Sequence, residues 1–425
     1  MKTQANTAVL SPPTKKRTSR GGFFANAVMS RLLELESGSL TVVDGGRTHV
    51  FGKSLPGVPD ATIRVNDQRF WKAAALRGSI GAGEAYASSW WTSDDPVAVI
   101  RLFVRNQKVL SGMETGLARL SRPLLAGYHA LRRNSVRNSR ENISAHYDLS
   151  NDFFALFLDD TMTYSSGVFD RPETTLREAS VAKIDRLCRK LDLKPGDHLL
   201  EIGTGWGALA LHAAGEYGCR VTTTTISKEQ HDYAAAKFRE AGLSDRIDLR
   251  LEDYRDLRGQ YDKLVSVEMI EAVGHQYFDT FFRACSDLLK PNGRMCMQAI
   301  TIADQHYERA KNSVDFIQRH IFPGSCIPSV TALCSSATKA SELRMTHMED
   351  MGTHYVRTLA EWRKNLHENW QEALALGFDE TFLRLWDFYF VYCEGGFSER
   401  HIGVVQMHFT KPEARPEPLL PHLSS

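Results

Sequence analysis

The spacing of apolar positions divides the chain into unlike stretches. Residues 1–22 hold Pro12, Pro13, the basic run Lys15, Lys16 and Arg17, and Gly21-Gly22, with too little apolar content to build a core. They are expected to form an unstructured basic tail. Over 23–130, short β-type runs (Leu40–Val43, Thr48–Phe51, Ala61–Val65) are separated by Gly and Asp and followed by helical spacing such as Pro96–Asn106, which predicts a small α+β unit. Phe23–Leu35 is apolar with few charges and is expected to pack on that unit more readily than to lie in a membrane interface. Residues 131–143 are polar and strongly basic, a linker before a larger domain over 144–425.

In that larger domain Val181, Ile184, Leu187, Cys188 and Leu191 fall at helical spacing, and Lys194-Pro195-Gly196 ends the helix. Five strand-like runs follow: Leu199–Ile202, Arg220–Thr224, Ile247–Leu251, Lys263–Val267 and Arg294–Ala299. Strands alternating with helical stretches predict an α/β fold with a doubly wound, mostly parallel sheet. A further helix is expected over Ala310–His320, leading into the proline-rich Ile321–Pro328.

Composition removes whole classes. Hydrophobic residues at 42% and charged residues at 24% are globular values, which argues against a disordered or fibrous chain. The seven cysteines lack CxxC or metal-type spacing, so neither a disulfide framework nor a zinc site is expected, and a reducing cytoplasm fits. No apolar run reaches the length of a membrane span, and the first residues lack the apolar centre of a signal peptide. Net charge hides an asymmetry: residues 1–145 carry 21 Lys and Arg against 10 Asp and Glu, a net of +11, within a chain whose total is +1. The first third is thus suited to an anionic membrane surface, and no nucleic-acid motif accompanies it.

Candidate chemistry centres on Glu201-Ile202-Gly203-Thr204-Gly205-Trp206-Gly207-Ala208, a glycine-rich loop between a strand and a helix. Such a loop lets the backbone approach a cofactor beyond the strand's carboxyl end. It also satisfies the G-x-G-x-x-A form of a dinucleotide site, but Val221–Thr225, where a ribose-binding acid would fall, has no carboxylate. Glu201 instead resembles the acidic residue of an S-adenosylmethionine loop.

Six segments occur in one order: His146–Phe154, Met162–Ser166, the glycine loop, Thr225–Gln230, Glu271–Gly274 and Ile321–Gly324. Together they resemble the cyclopropane-fatty-acyl-phospholipid synthase family, including the mycolic-acid cyclopropane synthases, and the likeness covers about 140 to 410. Gly81–Tyr86 is similar to the amino-terminal lipid-binding domain of longer members. The resemblance implies a seven-stranded methyltransferase sheet, with an insertion at about 301–345 over the acyl site.

It also implies methyl transfer from S-adenosylmethionine to a cis double bond of an unsaturated phospholipid acyl chain. Carried over by position, Tyr164 and Ser165 would touch the amino-acid end of the cofactor, and Gly203 and Gly205 its backbone side. Thr225 and Gln230 would hold the ribose and Asp253 and Tyr254 the adenine, with Ile226 and Ser227 also among the cofactor-binding residues. In the family a bicarbonate base is held by a Cys, a Glu, a His, a backbone group of an Ile and a Tyr. Glu271, Ile300 and Tyr355 match, whereas Ser166 stands at the Cys position and Gln298 at the His position. The Ser166 hydroxyl and the Gln298 amide remain donors for an anion.

An alkene is a poor nucleophile, and the cationic character it acquires needs a dry, aromatic-lined pocket. Tyr147, Phe153, Phe154, Tyr164, Tyr277, Phe316, Phe322, Tyr355, Tyr389 and Tyr392 are the candidates. The expected product is a cyclopropane fatty acid. A methylene- or methyl-branched chain, a small-molecule methyltransferase and a lipid-binding scaffold without turnover stay open as alternatives. The expected setting is the cytoplasmic inner face of the cell membrane, held peripherally, with a homodimer as the candidate assembly.

Overall fold

The computed structural model describes residues 20–115, 150–417 and 419. Most of the expected tail, the linker at 131–143 and His146 to Leu149, with the candidate Tyr147, lie outside the described residues.

The amino-terminal unit comprises α1 (Arg20–Leu32), β1 (Gly38–Asp44), β2 (Arg47–Lys53), β3 (Asp60–Val65), α2 (Arg69–Ala87), β4 (Trp91–Thr92), α3 (Pro96–Arg105) and α4 (Gln107–Thr115). Its sheet has the order β2-β1-β3-β4. Residues 20–22, taken from sequence as the end of the tail, belong to α1. Ala25, Val28 and Leu32, at helical spacing, are buried on that helix, so α1 packs against its own unit as its apolar stripe requires. In α2, Gly78 adopts φ 53° and ψ −130°, which kinks the helix beside a cavity described below.

The second unit runs α5 (Asn151–Ala155), α6 (Leu176–Leu191), β5 (His198–Ile202), α7 (Ala208–Glu216), β6 (Arg220–Thr225), α8 (Lys228–Glu240), β7 (Ile247–Leu251), β8 (Tyr261–Val267), α9 (Phe278–Leu288) and β9 (Leu289–Ile302). It continues through α10 (Asp304–Ala310), α11 (Phe316–His320), α12 (Val330–Ala340), β10 (Arg344–Asp350), α13 (Gly352–Glu368), α14 (Trp370–Ala375), α15 (Glu380–Ser398) and β11 (Ile402–Thr410). The seven strands have the order β10-β11-β9-β8-β5-β6-β7. From β9 to β7 neighbours are parallel, while β11 is antiparallel to both β9 and β10. The chain leaves β5 to one side for β6 and later crosses to the other for β8, so the carboxyl end of β5 is the switch point where such sheets open a crevice.

Two expectations need correction. The five strand-like runs account for β5 to β9, whereas the sheet also contains β10 and β11; the pattern of β10, Arg344–Asp350, is exposed to intermediate throughout, so this edge strand carries no apolar signal. The continuous helix expected over Ala310–His320 is broken. Asp315 accepts the Gln318 N–H at 2.9 Å while Gln318 accepts the Asp315 N–H at 3.2 Å, a capping box that starts a new helix at Phe316.

The two units meet where α2 and α3 pack on α15. Gly83 of α2 permits the approach, since a Cβ there would lie 2.5 Å from the Phe316 ring and 2.7 Å from that of Phe388. Across the contact, Asp387 accepts hydrogen bonds from the Tyr86 hydroxyl at 2.5 Å and from Arg363 at 2.7 Å, with His367 Nε2 also at 2.7 Å. Glu399 similarly receives Arg101 and Arg105 of α3 at 2.7 and 2.5 Å. No described helix is long and apolar enough to cross a membrane.

Candidate active site

A cavity of about 490 Å³ opens beyond the carboxyl ends of β5, β6 and β8 and continues into the amino-terminal unit. One end is lined by the glycine loop, Thr225, Gln230, Asp253 and Tyr254; the other by Leu40, Ile63, Phe70, Trp71, Trp91 and Phe103. The sheet supplies the polar end, because its loops converge at the switch point. The apolar end lies in the core between the small sheet and α2.

At the polar end Gly203 and Gly205 have φ of +101° and +53°. A Cβ built on Gly205 meets nothing within 4 Å, so the loop leaves a hollow beside the cavity that a ligand can fill. Glu201 beneath it is buried and accepts the Thr223 hydroxyl at 2.6 Å; burial pushes its carboxyl up to about 8 against that hydrogen bond and the Lys183 charge. Lys183 Nζ donates to the Ser165 hydroxyl at 2.9 Å, and burial lowers its pKa to about 8 despite the nearby Glu268 and Glu201.

The predicted ribose and adenine residues are sorted by the structure. Thr225 Oγ1 donates to Gln230 at 3.0 Å, and both line the cavity with Ile226. Ser227 is the cap of α8 and does not line it. The Asp253 carboxylate is engaged by Arg255 at 2.6 and 2.8 Å, whereas the buried Tyr254 hydroxyl has no partner. Gly205→Ala is expected to cost about 1–2 kcal/mol of stability, because φ +53° disfavours a Cβ, and to weaken S-adenosylmethionine binding about tenfold or more by calorimetry, because the methyl would fill that hollow. Unaltered affinity would remove the loop from the site.

Farther in, a group of carboxylates and donors lies under β8. Glu271 Oε1 accepts the Ile300 N–H at 2.5 Å, and its buried Oε2 has no partner. Burial, reinforced by the charge of Glu268, raises the Glu271 carboxyl to about 8. Glu268 Oε1 accepts the Ser166 N–H at 3.0 Å and Gln298 Nε2 at 2.7 Å, and Oε2 accepts the Tyr355 hydroxyl at 2.7 Å. Glu268 keeps some exposure, because its side chain opens onto the cavity. Burial still raises its pKa, opposed by those three donors and by Lys183.

The sequence-derived set is thus brought together, with one change of role. Ser166 and Gln298 are buried behind the cavity wall, and both serve Glu268, which lies outside the set expected from sequence. The Ser166 hydroxyl, expected to face an anion, turns to the Gly167 carbonyl at 3.2 Å and leaves only the backbone N–H for the site. The available signals are a carboxylate three residues before Glu271 and a lysine, Lys183, on the apolar face of α6.

The aromatic candidates divide by position. Phe153, Phe154 and Phe316 are fully buried core residues, and Tyr277 lies off the cavity. Tyr164, Phe322, Tyr355, Tyr389 and Tyr392 line it, with the Tyr164 hydroxyl donating to that of Tyr389 at 3.0 Å. Ile317, Phe322, Pro323 and Ile327, in the segment after β9, complete the wall. Among the described residues no cluster of His, Cys, Asp or Glu could hold a metal ion.

Residues 134–407 match the sequence profile of the family described as Mycolic acid cyclopropane synthetase. The chain is 35% identical over 411 residues to the tuberculostearic acid methyltransferase UfaA1 of Mycobacterium tuberculosis, covering 94% of this chain and 93% of the relative. It is 34% identical over 364 residues to the cyclopropane-fatty-acyl-phospholipid synthase of Escherichia coli, covering 85% and 90%. Among solved structures, mycolic acid cyclopropane synthase CmaA1 complexed with SAH and CTAB superposes with a TM-score of 0.60 at 33% identity, over 64% of this chain and 98% of that one.

Proposed function

The chain belongs to the mycolic acid cyclopropane synthetase family of S-adenosylmethionine-dependent methyltransferases, and from that premise we propose that it methylates the cis double bond of an unsaturated phospholipid acyl chain, giving a cyclopropane fatty acid. The observation that carries this reading is the single cavity joining the glycine loop to an apolar lobe in the amino-terminal unit. A small amine or phenol would leave that lobe empty, whereas a hydrocarbon chain fills it.

The polar end fits the cofactor. The hollow at Gly205, the unpartnered Tyr254 hydroxyl and the Thr225–Gln230 pair offer backbone approach, a polar partner and a hydroxyl-binding edge. Tyr164, Ser165, Glu201 and Gly203 would hold the remainder. When bound there, S-adenosylmethionine supplies an electrophilic methyl group on a sulfonium.

The protein's part is to seat the alkene, keep water out and receive a proton. Leu40, Ile63 and Trp91 would take one end of the chain, and Tyr164, Phe322 and Tyr389 present π faces to the positive charge that develops on the acyl carbons. Below a pH of about 8 Glu271 holds its proton, and Oε2 is the oxygen left free to carry it. Loss of a proton from the added methyl closes the ring; loss from a neighbouring chain carbon leaves a methyl-branched alkene.

The acyl chain lies in a bilayer, so the enzyme must dock. Phe23, Leu33, Val50 and Leu55, all in the amino-terminal unit, are exposed large hydrophobics on the basic third of the chain. Each basic residue near an anionic leaflet contributes about 1 kcal/mol, which makes peripheral attachment to the inner face salt-sensitive. Incubated with methyl-labelled cofactor and vesicles of unsaturated phosphatidylglycerol, the protein is expected to label the lipid, and fatty-acid methyl esters should gain the mass of one methylene. Raising the salt should reduce both sedimentation with the vesicles and labelling. Unlabelled lipid beside a labelling control synthase would reject the proposal.

A further inference from the structure

Glu268 takes most of the donors that the family resemblance assigns to a diffusible bicarbonate. Of the five groups implied for that anion, the Ser166, Gln298 and Tyr355 positions give their donors to Glu268, and the Ile300 N–H is taken by Glu271. The polarity of this wall is set from behind. Lys190 Nζ, which only donates, contacts Gln406 Oε1 at 2.7 Å, so the Gln406 amide donates to Gln298 Oε1 at 3.0 Å. That leaves the Gln298 amino group facing Glu268, an arrangement suited to a carboxylate and to no donor. Glu268 also holds φ +48°, a disfavoured left-handed backbone kept where the surroundings determine it.

We propose that Glu268 is a built-in replacement for the diffusible anion, and that its carboxylate is the catalytic base of the methyl-transfer reaction. The inference rests on the function proposed above. Once the alkene π pair has bonded to the incoming methyl carbon, the adjacent chain carbon is electron-deficient. A C–H bond of the added methyl breaks, its electron pair forms the ring-closing C–C bond, and the proton passes to a Glu268 carboxylate oxygen. Glu268 becomes a neutral acid and later returns the proton to solvent, so no other co-reactant is consumed. The groups facing it fit this task. Tyr355, whose pKa is raised well above its ordinary value, stays a donor; Lys183 supplies a positive charge; Glu271 stays neutral below about pH 8, so one negative charge is held.

The test compares the full-length wild type with Glu268→Gln and Glu268→Gly. Wild-type labelling of the phosphatidylglycerol vesicles should be the same in carbonate-free buffer and with added bicarbonate. Glu268→Gln, which keeps the side-chain volume, should lose about a hundredfold or more in turnover while its cofactor affinity by calorimetry changes less than about threefold. Glu268→Gly should open the slot, so that formate or bicarbonate binds it saturably by calorimetry and restores at least about tenfold of the lost turnover. Wild-type dependence on bicarbonate, or Glu268→Gln turnover within about threefold of wild type, would overturn the assignment. Should the wild type label no lipid, the proposed function fails, yet the binding comparison still decides the slot: formate bound by Glu268→Gly and not by wild type supports it, and no difference refutes it. If Glu268→Gly does not fold, the bicarbonate test and Glu268→Gln decide.

Discussion

Glu271→Ala is expected to lower the turnover of labelled acyl chains by about a hundredfold or more, with S-adenosylmethionine affinity held within about threefold. The side chain accepts the Ile300 N–H through Oε1 and lies against the cavity that Glu268 also lines. Removing it leaves a buried donor unpaired and opens a hole that water can enter, which hydrates the neighbouring carboxylate and weakens shielding of the cationic acyl carbon. Glu271→Gln keeps the acceptor and the volume and should lose less, about tenfold.

The pH profile separates the two roles of the carboxyl. With its pKa raised to about 8, first by burial and then by Glu268, Glu271 is neutral below that pH and anionic above it. Wild-type turnover should therefore fall as pH rises through about 8, when a second negative charge appears beside Glu268. That alkaline limb should be smaller in Glu271→Gln, the remainder belonging to Lys183, whose pKa burial lowers to the same range. An identical limb in the variant would assign the titration to another group.

Asp387→Ala is expected to destabilise the protein by about 3–5 kcal/mol in a denaturant titration, because it strands partners at a buried junction. Asp387 is 3% exposed and receives Tyr86 from α2 together with Arg363 and His367 from α13, so its loss leaves a guanidinium and a hydroxyl without an acceptor. The effect should spread to turnover, since α2 lines the apolar lobe of the cavity. A shift below about 1 kcal/mol would show that the junction is held by apolar packing alone.

The same group gives an acid limit. Burial pushes the Asp387 carboxyl up, but the His367 hydrogen bond, the Arg363 charge and the Tyr86 hydroxyl outweigh it and hold the pKa at about 2, against an ordinary 3.8. Its contribution, on the order of 2 kcal/mol, is present above the unfolded-state pKa and is lost as pH falls through about 2. Asp387→Ala should lack that part of the acid transition.

Much of the larger domain was legible in sequence because its signals are local. The five expected strands and the glycine loop follow from period and turn chemistry within about ten residues: the strands all lie in the folded sheet, the loop follows β5, and the helix expected to stop at Lys194–Gly196 ends slightly earlier, at Leu191, on a left-handed Asp192 cap. Motif order likewise brought Tyr164, Thr225, Gln230, Glu271 and Tyr355 to one cavity. The edge strand β10 escaped, since an exposed strand carries no burial pattern, and the helix over Ala310–His320 broke on a capping box that apolar spacing does not report.

The sequence by itself determined the sheet, the place of the cofactor loop and the residue types available to it. Only the tertiary structure decided what Ser166 and Gln298 serve and how far the cavity reaches into the amino-terminal unit. The donors on Glu268 stand 102, 30 and 87 positions from it along the chain, and no local pattern encodes such a meeting. It follows from packing α13, β9 and the segment before α6 against the end of β8, where a carboxylate removed from water must be surrounded by donors.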